Sequence, residues 1–554
     1  MLDSLRRALR DAARAGVITA DAVRTTGLIG ALSPVVLARF AARAVFASRN
    51  PSAVISLHAL NSPDKEALVE GERRWSYREL DTRIDRLANA FLAVGVAPGD
   101  RVALMMRNSH AYLETQWATT RASGYAVQIG YRLKPAEVAY ILGNSEPRVL
   151  IVGATELDVA REAAALARFS GRIIPVGPEY EAFLAQGSAK PPRPPGARGA
   201  ASAASGDDEK GGVMIYTSGT TGRPKGAARS FKKGFHVAAV DFLRQLGVRH
   251  DDRHLVVCPL YHSAAPAFVL LHLIVGSTIV LMEHFDAEEA LAAIERERIT
   301  SAFMVPTMLA RLAGTAAAHK GRWQTHTLRW LAAGAAPLPT ETARRVEAEL
   351  GPILYNFYGA TETGLVTLAL PGEHTARPGT IGRALAGNEI RLLGEDGREV
   401  APGAVGELYV RNSMLVAGYH RDRAATDSAM KDGFFSVGDM GRVDSDGYYY
   451  LADRKTDMVI SGGVNIYPQE IEERLHAHPA VQEAAVIGVP DEQWGEALKA
   501  FIVVRPGHEV DAPTLAGFCK ETLANFKCPK SFEFMDTLPR NPTGKVLKRE
   551  LRIR

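Results

Sequence analysis

Cysteine is nearly absent from this chain. There are three in 554 residues, Cys258, Cys519 and Cys528, and no two stand in a CxxC spacing. That excludes a disulfide framework and a cysteine zinc site, and it fits a reducing cytoplasm best. An excess of either charge is also lacking. Lys and Arg total 66 against 62 Asp and Glu, a net charge of +4, so no nucleic-acid partner is expected, because such proteins usually carry a marked basic surplus. Long charge-free runs are scarce too. One, Leu255 to Met282, has no Asp, Glu, Lys or Arg and is long enough to cross a bilayer. Pro259, His262, Pro266, His272 and Gly276 interrupt it. It reads better as a buried strand (Leu255–Cys258), a core helix (Ala264–Val275) and a second strand (Thr278–Met282). The remaining composition, 46% hydrophobic and 23% charged, is that of a soluble globular protein.

The small net charge hides a basic beginning. Residues 1–50 hold eight arginines and three aspartates, a local +5. Asp3, Arg6, Arg7, Arg10, Asp11 and Arg14 break every apolar run, which excludes a secretory signal. Leu2, Leu5, Leu9, then Val35, Leu37, Phe40 and Val45 keep helical spacing. Two readings stand: an amphipathic extension docked on the main body, or a peripheral helix on the anionic inner face of a membrane.

Beyond it, short apolar strands alternate with amphipathic helices, as in Arg101–Met106, Ala111–Ala122, Val149–Val152 and Glu156–Ala167. This predicts an α/β fold with mixed or largely parallel sheets. Residues Gly187–Gly212 shift to Pro, Gly, Ser and Ala, an exposed loop ahead of a strand at Val213–Tyr216. A second change follows Tyr450. There a charged stretch ends in Gly462 and Gly463, a helix starts at Pro468, strands are expected at Ala484–Val489 and Ala500–Val504, and a helix near Thr514–Leu523. The chain thus divides into a basic helical extension (1–50), a large multi-subdomain N-terminal body (51–455) and a small α+β C-terminal domain (456–554).

The strongest chemical signal is Tyr216-Thr-Ser-Gly-Thr-Thr-Gly-Arg-Pro-Lys-Gly226. Gly219, Gly222 and Gly226 let amides approach an anion. Thr217, Ser218, Thr220 and Thr221 add hydroxyl donors, and Lys225 adds a cation. This is a phosphate-cradling loop without the Gly-Lys-Ser/Thr of a Walker A motif. Further on stand Gly334-Ala-Ala-Pro337, Tyr358-Gly-Ala-Thr-Glu-Thr-Gly364, Ser436-Val-Gly-Asp439, Asp453-Arg-Lys-Thr-Asp457 and Asn541-Pro-Thr-Gly-Lys-Val546. Glu362 offers a hard oxygen that suits Mg²⁺, and Thr361 a donor to phosphate. Alone, that segment could equally be a strand-to-helix turn with an exposed acid. Tyr358 presents an aromatic face for a purine, with the Gly334-Ala335-Ala336 backbone lying close. Asp439 suits a ribose diol. Arg454 suits phosphate or ribose, or an ion pair with Asp453 or Asp457. By itself Lys545 is one lysine in a basic tail, and His262 is a lone histidine in an apolar stretch.

These six motifs, in this order and spanning about residue 50 to the end, closely resemble those of the AMP-forming adenylating enzymes: acyl-CoA synthetases, firefly-type luciferases and peptide-synthetase adenylation domains. The resemblance implies ATP and Mg²⁺ as cofactors, coenzyme A as co-substrate and Glu362 as the metal ligand. It implies that Lys545 reaches the reacting carboxylate during adenylation and that Thr456 occupies the hinge of a mobile C-terminal domain, where many relatives carry a charged residue. Gly462 and Gly463 would line the pantetheine tunnel. His262 would line the acyl channel near the carboxylate, beside Ala264, Ala265, Ala267 and Phe268. Lys545, Thr361, Glu362 and His262 are the implied catalytic set. No acidic residue in Leu260–Phe268 is placed to grip an amino acid's ammonium group. The apolar Ala264–Val275 stretch therefore favours a medium- to long-chain fatty acid, with an aryl acid such as a cinnamate or benzoate second. A carrier-protein thiol as acceptor, a luciferase-like oxygenase and a non-enzymatic binding protein are the alternatives.

Overall fold

The computed structural model describes residues 15–33, 35–36, 51–194, 211–218, 224–230, 237–454, 457–461, 464–491, 494–540 and 545–553. At 29, 217, 218, 224, 230, 453, 454 and 465 only the backbone is described. The chain forms two compact units, one of residues up to 303 with 323–330 and 413–428, the other of 304–322, 331–412 and 429 onward.

The strands of the first unit are β1 (Glu66–Glu70), β2 (Arg73–Ser76), β3 (Arg101–Met105), β4 (Tyr125–Gln128), β5 (Val149–Val152), β6 (Arg172–Pro175), β7 (Gly212–Ser218), β8 (Pro224–Ser230), β9 (Arg253–Val256), β10 (Thr278–Leu281) and β11 (Ser301–Met304). One sheet runs β6-β5-β3-β4-β7-β8 and is parallel except for its edge strand β8. A second path runs β11-β9-β10-β1-β2, parallel except for β2. Helices α1 (Ala53–Asn61), α2 (Tyr77–Ala93), α3 (His110–Arg121), α4 (Pro135–Ser145), α5 (Val237–Leu246) and α6 (Ala264–Val275) belong to the same unit. Strands such as Val-Leu-Ile-Val of β5 are buried throughout, so they read as continuous apolar runs and not as alternations. The capping box Ser76/Glu79 opens α2 and stops β2. The charge-free stretch resolves as expected into strand, core helix and strand. Among the described residues no helix is long and apolar enough to cross a membrane.

The inner face of α6 rests on a block of rings. Phe268 stacks on Phe303 at 4.9 Å, His254 stacks on His272 at 4.0 Å, and Trp330 lies 5.6 Å from His272. His272 Nδ1 is 2.8 Å from the carbonyl of Phe268 and must donate there. Its Nε2 therefore accepts from the Ser301 hydroxyl at 3.2 Å, and Ser301 in turn accepts from His254 Nδ1 at 3.0 Å. Burial holds the His254 imidazole well below its usual pKa and that of His272 down to about 4.

Part of the N-terminal extension docks on this unit. A helix over 15–25 buries Ile18 and Ala22, and Thr26 follows them into the protein. The Thr26 carbonyl accepts from the amide of His250 at 3.1 Å. Asn61 donates to the Ala31 carbonyl at 2.7 Å and accepts from the Ser33 amide at 2.8 Å. For residues 15–33 the docked arrangement is thus the one found. Val35 is exposed; Leu2, Leu5, Leu9, Leu37, Phe40 and Val45 lie outside the described residues, as does most of the Pro/Gly-rich loop, from 195 to 210.

The second unit contains β12 (Trp330–Ala333, its first residue counting with the first unit), β13 (Leu354–Ala360), β14 (Gly364–Ala369), β15 (Thr380–Ala384), β16 (Glu389–Leu393), β17 (Gly406–Arg411), β18 (Met430–Lys431), β19 (Phe434–Val443) and β20 (Tyr449–Arg454), in the order β16-β17-β19-β20-β15-β14-β13-β12 with β18 on β19. Register shifts fall at Tyr358/Gly359, Thr380/Gly382, Glu407/Tyr409 and Met440/Gly441. Each bulge bends its strand and adds twist. At Gly382, φ is +84° and a Cβ would lie 2.0 Å from Leu368 backbone, so only glycine fits the bend. The sheet curls, and Tyr358, Val366, Ile381, Leu392, Leu408 and Val410, from five strands, share one core.

The small C-terminal α+β domain follows in the same unit. Strands β21 (Val459–Ser461), β22 (Val464–Ile466), β23 (Val481–Asp491) and β24 (Gly495–Val504) run β22-β21-β24-β23, with β25 (Ser531–Phe534) parallel on β24. Helices α8 (Pro468–His476) and α9 (Ala512–Lys520) cover one face, while α7 (Thr340–Leu350) lies between β12 and β13 in the chain. Residues Val486, Ala500 and Ile502 point to the helices, and Ala485, Ile487 and Phe501 to the other core, the period of two that a sheet covered on both sides requires. Thr340 at the start of α7 donates to Glu473 of α8 at 2.6 Å.

The ring block makes stability depend on pH. An unfolded histidine titrates near 6.5, whereas native His272 titrates at about 4. Between these values the unfolded chain binds more protons, so stability falls as pH drops from about 6.5 to about 4, by roughly 3 kcal/mol from this one residue. Calorimetric melting across that window should show the loss, and His272→Asn should flatten the slope. A variant with the same slope would contradict the assignment.

Candidate active site

Strands β12 and β13 are parallel, with Leu331 opposite Leu354 and Ala333 opposite Asn356. Residues Gly334, Ala335 and Ala336 therefore leave β12 beside Tyr358 near the end of β13. Carboxyl ends of parallel strands are where α/β proteins bind ligands. The Phe357 ring fills the space that a Cβ on Gly334 would take, at 2.5 Å. The next residue, Ala335, is exposed with φ +68°, a left-handed conformation that alanine adopts only under constraint.

Residues Ala360 and Gly364 pair across β13 and β14. Thr361, Glu362 and Thr363 thus form a strand-to-strand turn, and Glu362 is 6% exposed; neither a strand-to-helix turn nor an exposed acid is found. The turn is held from several sides. Thr363 Oγ1 accepts from the Ala360 amide at 3.2 Å, while Asn412 donates to the Thr363 carbonyl at 2.9 Å and to Asn388 at 2.7 Å.

Curling of the sheet brings Asp439 of β19 to Tyr358. The buried phenol donates to Asp439 Oδ2 at 2.7 Å. Across the β19–β20 ladder, Asp439 stands opposite Arg454. The structure thus gathers Gly334–Ala336, Tyr358, Asp439 and the Arg454 backbone at one corner, from motifs spread over more than a hundred residues. Lys545 is half-buried in the small domain, just before Val546, which forms an antiparallel bridge with Arg540. Thr456, Gly462 and Gly463 lie outside the described residues.

In the first unit, Thr217 pairs with Lys225 and Ser218 with Pro224 on the arms of the β7–β8 hairpin. Gly219, Thr220, Thr221 and Gly222 lie outside the described residues. The Lys225 ammonium is 5.1 Å from the centre of the Tyr419 ring. Half-buried His262 stands just before α6, its ring 4.0 Å from that of Tyr261. Ala264 and Ala267 are half-buried, whereas Phe268 is turned into the ring block.

A Mg²⁺ fits the acid present. Magnesium commonly takes one or two protein carboxylates and fills its octahedron with water and substrate phosphates. Glu362, on a turn braced by Asn412, could supply one such carboxylate to a cation that arrived on a nucleotide.

Two features escaped the sequence reading: the hydroxyl of Tyr358, whose ring alone drew notice, and Tyr419. Gly418-Tyr-His-Arg421 was visible as residues, but nothing in the spacing links it to a hairpin almost two hundred positions earlier.

Comparison with known proteins agrees with this corner. Residues 56–420 match the AMP-binding enzyme family and residues 470–545 the AMP-binding enzyme C-terminal domain. A feruloyl-CoA synthase from Amycolatopsis is 39% identical over 498 residues, 89% of this chain and 96% of that protein. The long-chain-fatty-acid–CoA ligase FadD13 of Mycobacterium tuberculosis is 34% identical, covering 91% and 98%. The crystal structure of ATP-bound MatB from Rhodopseudomonas palustris superimposes with a TM-score of 0.80 at 31% identity, covering 91% and 98%. The chain belongs to the AMP-binding enzyme family. Within it, the class these relatives represent is the AMP-forming acid–thiol ligase, which uses ATP, Mg²⁺ and coenzyme A.

The Tyr358–Asp439 bond is open to a double-mutant cycle. Tyr358→Phe and Asp439→Asn should each weaken MgATP binding, and the double variant should lose less than the two single losses combined, with a coupling of about 1–2 kcal/mol. Strict additivity in equilibrium dialysis would show that the bond does not set the ribose-facing geometry.

Proposed function

We propose that this chain is an AMP-forming acyl-CoA ligase acting on an aromatic carboxylic acid of cinnamate size. In the first step the carboxylate attacks the α-phosphorus of ATP in line and pyrophosphate leaves. In the second, the thiol of coenzyme A attacks the acyl carbon, and AMP departs with the oxygen that came from the acid. Such transfers gain their rate from positioning and charge stabilisation, and no protein nucleophile is required.

The roles follow. Thr217, Ser218, Gly219, Thr220, Thr221, Gly222 and Lys225 cradle the β- and γ-phosphates. Gly334, Ala335, Ala336 and Tyr358 hold the adenine, and Asp439 and Arg454 the ribose. Thr361 donates to a phosphate oxygen, and Glu362 holds Mg²⁺, which neutralises phosphate charge when bound. His262 lies by the reacting carboxylate. Lys545 stabilises charge as it moves to pyrophosphate, then leaves as the 456–554 domain turns at Thr456 and Gly462 and Gly463 meet the pantetheine arm. The body is 51–455, with 1–50 an added extension, and the enzyme works in the cytoplasm.

The observation that carries the acid assignment is the likeness to feruloyl-CoA synthase, at 39% identity over nearly its full length. The ring block of Phe268, Phe303, His254, His272 and Trp330 supports it, because it fills the interior behind α6. Likeness to a long-chain-fatty-acid ligase, at 34%, favours the fatty acid as second reading.

A panel of acids scored by coenzyme A-dependent AMP release separates these. Ferulate, cinnamate and benzoate should exceed octanoate and palmitate by at least tenfold in kcat/KM; the reverse order would reject the aromatic reading. Lys545→Ala should cut acid-dependent ATP–pyrophosphate exchange by about 10²–10³, the usual scale for losing one charge-stabilising group. It should still convert supplied acyl-adenylate to thioester. Loss of both reactions, or of neither, would refute the division of roles.

A further inference from the structure

Strand β8 is the outer edge of its sheet, and an edge with free amides and carbonyls invites pairing. A short segment from far along the chain covers it. Tyr419 forms an antiparallel bridge with Ala227, and the amide of His420 donates to the Gly226 carbonyl at 2.7 Å. The segment is pinned on both sides of the bridge. Thr426 Oγ1 accepts from the Tyr419 amide at 2.9 Å, and Arg421 pairs with Glu146 at the end of α4 at 2.8 Å. From the same end of α4, Asn144 accepts from the Tyr216 hydroxyl at 2.6 Å. The hairpin arm β7, the end of α4 and the segment 418–422 are thus tied to one another.

This pairing sets one side chain. Lys225 stands two residues before Ala227 on the same face of β8, so it is the diagonal neighbour of Tyr419, and such diagonals are within reach of long side chains. The Lys225 ammonium indeed lies 5.1 Å from the centre of the Tyr419 ring. A lysine stem has four rotatable carbons, and a cation over an aromatic face is drawn to it.

We infer that Tyr419 is a positioning residue for the phosphate loop: its ring holds the Lys225 ammonium beside the hairpin, so that the cation is in place when the triphosphate enters. This deepens the reading of residues 217–225 as the phosphate cradle and rests on it. The effect belongs to nucleotide affinity and not to the acid. It needs the ring and not the hydroxyl.

The test is MgATP binding by equilibrium dialysis, without any acid, together with steady-state kinetics. Tyr419→Phe should bind MgATP as the wild type does. Tyr419→Leu should bind it three- to thirtyfold more weakly, the range that a cation–π contact supports, with a matching rise in KM for ATP. Its KM for the acid and its melting temperature should not move. Equal affinity in Tyr419→Leu and wild type overturns the inference while leaving the nucleotide site intact. So does Tyr419→Phe as weak as Tyr419→Leu, or loss of ATP and acid affinity together with a lower melting temperature. No MgATP binding by the wild type would overturn the phosphate-cradle reading and this inference with it.

Discussion

The hydroxyl of Tyr358 reaches Asp439 over 2.7 Å although three strands, β20, β15 and β14, separate β13 from β19 in the sheet order. A flat sheet would hold strands so placed about 19 Å apart, at roughly 4.8 Å per strand. The bond exists because the path from β13 to β19 is bent by three register shifts and by Gly382, where no side chain fits. Curvature also gathers an apolar core from five strands. Burial of that core stabilises the bend, and the bend brings the groups at the carboxyl end of β13 to the carboxylate on β19. The corner that joins Tyr358 to Asp439 is therefore a product of packing as much as of polar contacts.

The same logic holds at a smaller scale around each proposed site residue. Glu362 is placed by a tight turn whose backbone is held by Thr363 and Asn412. Gly334 lets the Phe357 ring close under the turn that follows β12. Arg454 is set opposite Asp439 by ladder register alone. An enzyme that works by positioning and charge stabilisation, with no covalent chemistry of its own, has need of this sort of fixed scaffold. The small domain, by contrast, has cores of its own on both faces of its sheet.

Much of this was legible in the sequence. Val149–Val152 and Ala264–Val275 came out at the expected bounds, and Leu255–Cys258 shifted by two residues, because buried parallel strands and core helices are continuous apolar runs with clear punctuation. The motif order identified the family because each motif carries its own chemistry. What was not legible depends on distant pairing. Nothing local in Asp439 or Tyr358 reports that their strands curl together, and Tyr419 meets Lys225 only through an edge bridge. The N-terminal extension shows the same limit. Its docked face is Ile18, Ala22 and Thr26, a spacing of four that blends into an alanine- and threonine-rich stretch, whereas the leucines that drew attention lie elsewhere. The direction in which Phe268 turns, into the ring block, is likewise something that sequence alone does not say.

The central claim is that a carboxylate oxygen of the acid attacks the α-phosphorus of ATP. Ferulate labelled with ¹⁸O in both carboxylate positions tests it directly. After one round of thioester formation, mass spectrometry should find one ¹⁸O in AMP and none in pyrophosphate. Unlabelled AMP, or label appearing in inorganic phosphate beside ADP, would contradict the account.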